Sequence, residues 1–361
     1  MTDTARRGSP HQRRHRTYAV AATVVVAVAA VAAVIVGVTM GADGAGRDRA
    51  VPGSVSSSMA APAPPVVAEL TLPANAGAPV FAAGSGWVAV GVQLMRIDPA
   101  TNKATVAVKD SGEGSAKVLS AFDSIWFDHE LKGLFRVDPR TGAVTARFGE
   151  EIGVAAVGFG SLWGMYVNHE VVRVDPSTNK VVARTRVSDK KEETHGCVAP
   201  FRATCPDYLT VHQDKIVVFI EGEDAAVHID PATNRVTKRI KMPADAAGFY
   251  GINGQPPWIM TLTGLAQVDL ETGNVLAQIP LGYEQMVLSY EALAPSIAIN
   301  GDTAWLVADT ITTQIDLKAR KVVKTFPTPG AGGVLAAAFG HDDLWVSYDD
   351  GTLRRLDLSS T

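Results

Sequence analysis

From Val66 to the end of the chain, apolar and polar positions alternate in runs of five to seven residues, and the runs are separated by one recurring polar turn. The stretch Arg173-Val174-Asp175-Pro176-Ser177-Thr178-Asn179-Lys180-Val181-Val182-Ala183-Arg184 shows the unit in full. Alternation predicts strands, because successive side chains on a strand point to opposite faces. Asp-Pro-x-Thr-Asn between two such runs predicts a hairpin. The Asp accepts hydrogen bonds from backbone N–H groups just ahead of it, the Pro fixes φ, and the Asn or Gly at the exit tolerates the left-handed conformation. The same unit closes on Asp98, Asp138 and Asp230, weaker copies on Asp269 and Asp316, and the last turn of the chain on Asp357. No long window after Val66 carries a helical period.

The tryptophans index these repeats. Trp87, Trp126, Trp163, Trp258, Trp305 and Trp345 stand 11 or 12 residues before their turn aspartates, and in the repeat without a Trp, Phe219 stands 11 before Asp230. The intervals between turn aspartates are 40, 37, 55, 39, 47 and 41, a period typical of four-stranded propeller blades. Trp then packs between neighbouring blades and Asp closes a turn, with no chemistry assigned to either. The last repeat stops just after its turn signal, whereas Val66 to Leu72 has the pattern of the outer strand Val181 to Val187. Pairing the two ends in one blade would hide an edge strand. The expectation is an all-β, seven-bladed β-propeller over residues 66–361, its last blade closed by the N-terminal strand.

The first 65 residues differ in kind. Residues 1–17 carry Arg6, Arg7, Arg13, Arg14 and Arg16 against Asp3 alone, which predicts a basic cytoplasmic segment. Residues 18–40 hold an uncharged apolar run, 19–40, that is about 33 Å long as a helix and so long enough for a hydrocarbon core of roughly 30 Å. They predict a single-pass transmembrane signal anchor in the cell membrane, with everything C-terminal on the extracytoplasmic side. The rival reading is a cleaved signal peptide, whose apolar region usually runs 7 to 15 residues. No Cys directly follows the run, so a bacterial lipoprotein is excluded. Residues 41–65, rich in Ala, Pro and Ser, predict a tether. The Ala- and Val-rich composition suggests a high-GC bacterium. The whole chain has a formal net charge of -4, so with +4 in residues 1–17 the remainder sums to -8. An acidic body without a basic stripe argues against nucleic acid as a partner.

At its Asp-Pro-x-Thr hairpins the chain resembles the YVTN-type and NHL/streptogramin-lyase-like β-propellers, over about Val66 to Thr361. That resemblance implies diverse roles: surface and envelope binding, sensing, and a few lyases. Streptogramin lyases, it further implies, use His and Glu near the central channel with bound magnesium, and their repeats often read Trp-Phe-Thr-Glu. Here only Val218-Phe219-Ile220-Glu221 approaches that string, and no His matches the pattern. Quinoprotein propellers share a similar turn but carry a Trp just after it, whereas here the Trp precedes it, which argues against a quinone.

The face opposite the Asp-Pro turns is where a ligand is expected. It collects Asp128, His129, Glu130, Asn168, His169, Glu170, Glu221, Glu223, Asp224, Asp309, Asp349 and Asp350, together with the long connection that holds Tyr283, Glu284, Met286, Tyr290 and Glu291. Converging carboxylates and imidazoles could hold a divalent cation or act as acid and base; polar loop tips otherwise face water, and residues 286–288 could simply continue an inner strand. Cys197 and Cys205 are the only cysteines, and in an exported domain they predict a local disulfide. It would order one loop, contributing at most about 2–3 kcal/mol. Zinc ligation with His195 lacks a fourth ligand nearby. No Gly-x-Ser-x-Gly elbow, Lys-bearing phosphate loop or His-Glu-x-x-His is present. No catalytic residue, metal ligand or cofactor is therefore assigned. The leading expectation is a membrane-anchored, non-enzymatic binding or scaffold module for a protein, peptide or cell-envelope ligand; the alternative is a metal-assisted lyase or hydrolase of the streptogramin-lyase type.

Overall fold

The computed structural model describes residues 61–110, 116–129, 132–148, 152–166, 169–189, 208–220, 223–243, 247–250, 256–261, 263–281, 296–330 and 332–359. The elements named below are all strands. The first strand, β1 (Val66–Thr71), is set apart from its sequence neighbours. Blade 1 is β2 (Val80–Ala82), β3 (Ser85–Val90), β4 (Gln93–Asp98) and β5 (Lys103–Val108). Blade 2 is β6 (Ala116–Ala121), β7 (Ser124–His129), β8 (Gly133–Val137) and β9 (Val144–Arg147). Blade 3 is β10 (Gly153–Gly158), β11 (Ser161–Tyr166), β12 (Glu170–Asp175) and β13 (Lys180–Arg186). Blade 4 is β14 (Tyr208–His212), β15 (Lys215–Ile220), β16 (Ala225–Asp230) and β17 (Arg235–Lys241). Blade 5 is β18 (Ala247–Tyr250), β19 (Trp258–Thr261), β20 (Gly264–Val268) and β21 (Val275–Pro280). Blade 6 is β22 (Ser296–Asn300), β23 (Thr303–Val307), β24 (Ile311–Asp316) and β25 (Lys321–Pro327). Blade 7 is β26 (Val334–Gly340), β27 (Asp343–Tyr348) and β28 (Thr352–Leu356), completed by β1.

Each sheet is a four-stranded antiparallel meander, and blade 7 has the order β1-β28-β27-β26. Glu69 pairs with Arg354 and Leu70 with Leu353, so the two ends of the propeller are joined by a strand ladder, as the sequence pattern predicts. The first strands of neighbouring blades meet around the centre, among them β2 with β6, β10 with β14 and β26 with β2. The result is a seven-bladed all-β propeller.

Its core is divided among the joints between blades. Trp87 packs with Ile125, Phe127 and Val137 of blade 2, and Trp126 with Leu162, Val172 and Val174 of blade 3. Trp163 meets Ile216, Val218 and Ile229 of blade 4. Trp258 meets Ala304, Leu306 and Ile315, Trp305 meets Leu344 and Val346, and Trp345 closes the ring on Val88 and Ile97. Blade 4 corrects the sequence expectation. Phe219 pairs with Ala226, whereas Val217 pairs with His228, which is the register of Trp163 with Arg173. Val217 therefore holds the Trp position, and Phe219 lies two residues further along the strand. Phe219 reaches the same joint as Val217, packing with Ile259, Ala266 and Leu270 of blade 5.

No helix among the described residues is long and apolar enough to cross a membrane. The expected cytoplasmic segment, anchor and most of the tether, residues 1–60, lie outside those residues, as do Cys197 and Cys205.

Candidate functional site

Antiparallel order puts the Asp-Pro turns at one end of the blades, and the loops between second and third strands at the other. On the turn face the aspartates do what their position predicts. Asp98 Oδ1 accepts from Ala100 N at 2.9 Å and its Oδ2 from Thr101 Oγ1 at 2.9 Å. Asp175 and Asp230 repeat this with Ser177 and Thr178, and with Ala232 and Thr233. Hydrogen bonds to the charged carboxylate favour it, so Asp98, Asp138, Asp175, Asp230 and Asp357 all sit below the ordinary carboxyl value. Asn102, Asn179 and Asn234 end their turns at φ 53°, 56° and 57°, the left-handed region that Asn tolerates.

A second device on this face is not among the sequence expectations. Two residues before the turn aspartate stands an Arg whose guanidinium spans two blades. Arg173 Nε donates to Ser161 Oγ at 2.8 Å in its own blade, and its Cζ lies 5.0 Å from the centre of the Trp163 ring. Its Nη1 donates across the joint to Pro231 O at 2.6 Å and Asn234 Oδ1 at 3.2 Å in blade 4. Arg136 does the same with Ser124, Trp126, Pro176 O and Asn179. Arg355 uses Asp343, Trp345, Pro99 O and Asn102, and Arg96 uses Ser85, Trp87 and Arg140 O. A planar donor fork over an indole suits this clasp, which Lys could not form. The sequence signal was the Arg-x-Asp spacing taken with a Ser two residues before each of Trp87, Trp126 and Trp163.

Blade 4 departs from the clasp at three positions together. Lys215 replaces the Ser, Val217 the Trp and His228 the Arg. His228, 2% exposed, lies with Nε2 2.7 Å from Leu270 O, the carbonyl equivalent to those of the turn prolines. Burial holds its pKa below the ordinary histidine value, while the Leu270 carbonyl and Glu271 pull it upward. Lys215 and Lys238 both reach the Glu271 carboxylate of blade 5, Lys238 at 3.3 Å. That carboxylate, half-exposed, is drawn down to about 2, chiefly by its hydrogen bond with Lys215.

The loop face distributes the expected ligand-face residues among separate structural tasks. His129 is 2% exposed, with Nε2 3.0 Å from Asp110 Oδ2, and its ring lies 6.0 Å from both Phe127 and Phe135. Lys132 pairs with the same Asp110 oxygen. Asp128, next along β7, alternates to the opposite side, in register with Lys117. His169 has φ 55° and its carbonyl accepts from Val187 N at 2.9 Å, while Glu170 lies 3.5 Å from Arg184 across the sheet. Glu223 accepts from Arg239 Nη1 at 2.6 Å and from Ser188 Oγ, fastening blade 4 to the end of blade 3. Asp224, at φ 47°, accepts Met242 N through its carbonyl. Asp349 Oδ1 accepts from Gly333 N at 2.8 Å, and Asp309 Oδ1 from Val334 N at 2.7 Å, tying blade 6 to blade 7. Asp350 is held by Thr352, and Tyr348 donates to Pro329 O under the Arg354 guanidinium. Burial pushes the Tyr348 phenol up to about 12, so it stays a donor.

Among the described residues no group of three or more His, Cys, Asp or Glu side chains could hold a metal ion. Glu130, Asn168, Glu221, Tyr283, Glu284, Met286, Tyr290 and Glu291 lie outside the described residues.

No family model matches the sequence, and no curated protein matches it. Solved structures do. One is a catalytically inactive histidine-to-alanine variant of virginiamycin B lyase from Staphylococcus aureus with quinupristin, at a TM-score of 0.59, covering 81% of this chain and 98% of that one. The shared feature is the propeller. At 12% sequence identity the likeness shows the fold alone.

Proposed function

We propose that this chain is a non-enzymatic binding or scaffold propeller, held at the cell membrane by residues 18–40 and presenting its loop face to a protein, peptide or cell-envelope ligand. One observation carries the reading: five of the carboxylates on that face, and its buried histidine, are already committed to neighbours in the chain. Glu170, Glu223, Asp309, Asp349 and Asp350 each serve a cation or a backbone N–H, and His129 is buried against Asp110. A general acid or base must be within hydrogen-bond reach of a substrate proton, and such engaged groups would have to break structural bonds to act. The YVTN- or NHL-like character of the repeats rests on their Asp-Pro-x-Thr hairpins. The disulfide between Cys197 and Cys205 belongs to the same extracytoplasmic reading.

The second reading, a metal-assisted lyase, draws on the shared fold with virginiamycin B lyase. Incubation of the full chain with quinupristin and magnesium, followed by mass spectrometry, separates the two. The binding reading predicts that quinupristin is recovered intact, and that calorimetric titration with magnesium, calcium, manganese and zinc shows no uptake that depends on His129 and His169. Turnover of quinupristin, or micromolar metal binding abolished by both His129→Ala and His169→Ala, would overturn it.

A further inference from the structure

Five joints between blades use the same kind of acceptor, a turn carbonyl of the following blade. Four of them meet it with a guanidinium: Arg355 with Pro99 O, Arg96 with Arg140 O, Arg136 with Pro176 O and Arg173 with Pro231 O. Arginine does not titrate in proteins, so those joints are the same at any physiological pH. The joint between blades 4 and 5 meets its carbonyl with an imidazole, that of His228 on Leu270 O. We propose that this joint is a proton-sensitive seam: proton uptake by His228 loosens blade 5 from blade 4 while the four arginine joints stay closed.

The geometry supplies the reason. As the hydrogen-bond donor to Leu270 O, the neutral ring carries its proton on Nε2 and leaves Nδ1 without one. A second proton creates a full charge on a side chain that is 2% exposed, where water cannot solvate it. The charged groups that face the ring are Lys215 from β15, Lys238 from β17 and Glu271 from the blade 5 turn. The two lysines repel the new charge. Glu271 attracts it, but its carboxylate already serves both lysines. Relief comes by moving the ring toward water, and with it goes the contact to Leu270.

The sign follows from linkage. A depressed pKa in the folded state means that the unfolded or opened chain binds more protons below the ordinary value of 6.5. The joint is fully closed above that value and weakens as pH falls from it toward the folded pKa of the ring. Each unit by which that pKa lies below 6.5 makes opening about tenfold easier.

The test is a histidine ring titration by NMR on the full chain, with amide hydrogen exchange at pH 7.5 and 5.5 corrected for intrinsic rates. The ring of His228 should titrate below 6.5. Protection at Asp269 and Gly273, whose amides close the blade 5 turn, should fall on acidification relative to the equivalent Asp138 and Gly142 in blade 2. His228→Gln, which keeps a donor but cannot titrate, should abolish that difference. Should this variant fail to fold, Glu271→Gln serves instead: without the carboxylate the ring should titrate lower still. A His228 ring that titrates at or above 6.5, equal loss of protection in both turns, persistence of the difference in His228→Gln, or an unchanged ring in Glu271→Gln would each overturn the proposal.

Discussion

The joint between blades 3 and 4 and the joint between blades 5 and 6 are built on the same Trp, and they are held differently. At the first, Trp163 fills an apolar cluster and is roofed by Arg173, which bonds Ser161 in its own blade and Pro231 and Asn234 in the next. At the second, Trp258 fills a cluster with Ala304, Leu306 and Ile315, but the residue opposite it is Gln267, which donates to Pro256 O within its own blade. One joint combines burial with directional bonds across the seam; at the other, among the described residues, burial carries the contact. Apolar contact is indifferent to small sliding, whereas a charge-assisted fork fixes register. The comparison implies that the propeller opens preferentially on the side of blades 5 and 6.

The largest effect should come from removing the indole itself. Trp163→Ala should cost about 3–5 kcal/mol in chemical denaturation, and Trp258→Ala should cost a similar amount, because both clusters depend on the ring. Next comes backbone approach at the seam of blades 4 and 5. Gly273 has φ 76°, and a Cβ there would sit on the Lys241 carbonyl oxygen, whereas at Gly142, also φ 76°, the nearest atom is Ala107 Cβ at 3.6 Å. Gly273→Ala should therefore lower the melting temperature clearly more than Gly142→Ala, which carries only the left-handed backbone penalty of about 1–2 kcal/mol.

Arg173→Ala should cost about 1–3 kcal/mol, since it strands Ser161, Pro231 O and Asn234 together. Gln267→Ala should stay within about 0.5 kcal/mol. Equal losses at those two positions would erase the distinction between the joints. A comparably small effect is expected at Glu271→Gln. Its partners are partly exposed, so about 0.2–1 kcal/mol should be lost at low salt, and most of that difference should vanish at high salt.

The fold was legible in the sequence because the repeat is written twice, once as Asp-Pro-x-Thr-Asn and once as Trp at a fixed distance. Blade count, ring closure by Val66–Thr71 and the capping role of the aspartates all follow from those two signals. Blade 4 was misaligned because its loop between β15 and β16 is longer, which made Phe219 match the spacing while Val217 held the place. Spacing along the chain cannot separate the two; cross-strand register can. The clasp was legible in principle, as Arg two before Asp, but nothing local to each Arg marks the carbonyl it meets in the next blade. The loop face was the least legible. Asp349, Glu223 and His129 look like a converging polar site in sequence, and only tertiary contacts reveal Gly333, Arg239 and Asp110 as their partners. Those partners lie 16 to 19 residues away at the far ends of hairpins, where strand alternation does not mark which loop side chain meets which.

The most direct measurement is amide hydrogen exchange of the full chain at pH 7.5, read joint by joint. Strands β19 and β20 of blade 5 should exchange before β11 and β12 of blade 3, although a buried Trp stands at both. Uniform exchange around the ring, or earlier opening beside Trp163, would contradict the claim that the arginine clasp distinguishes the joints.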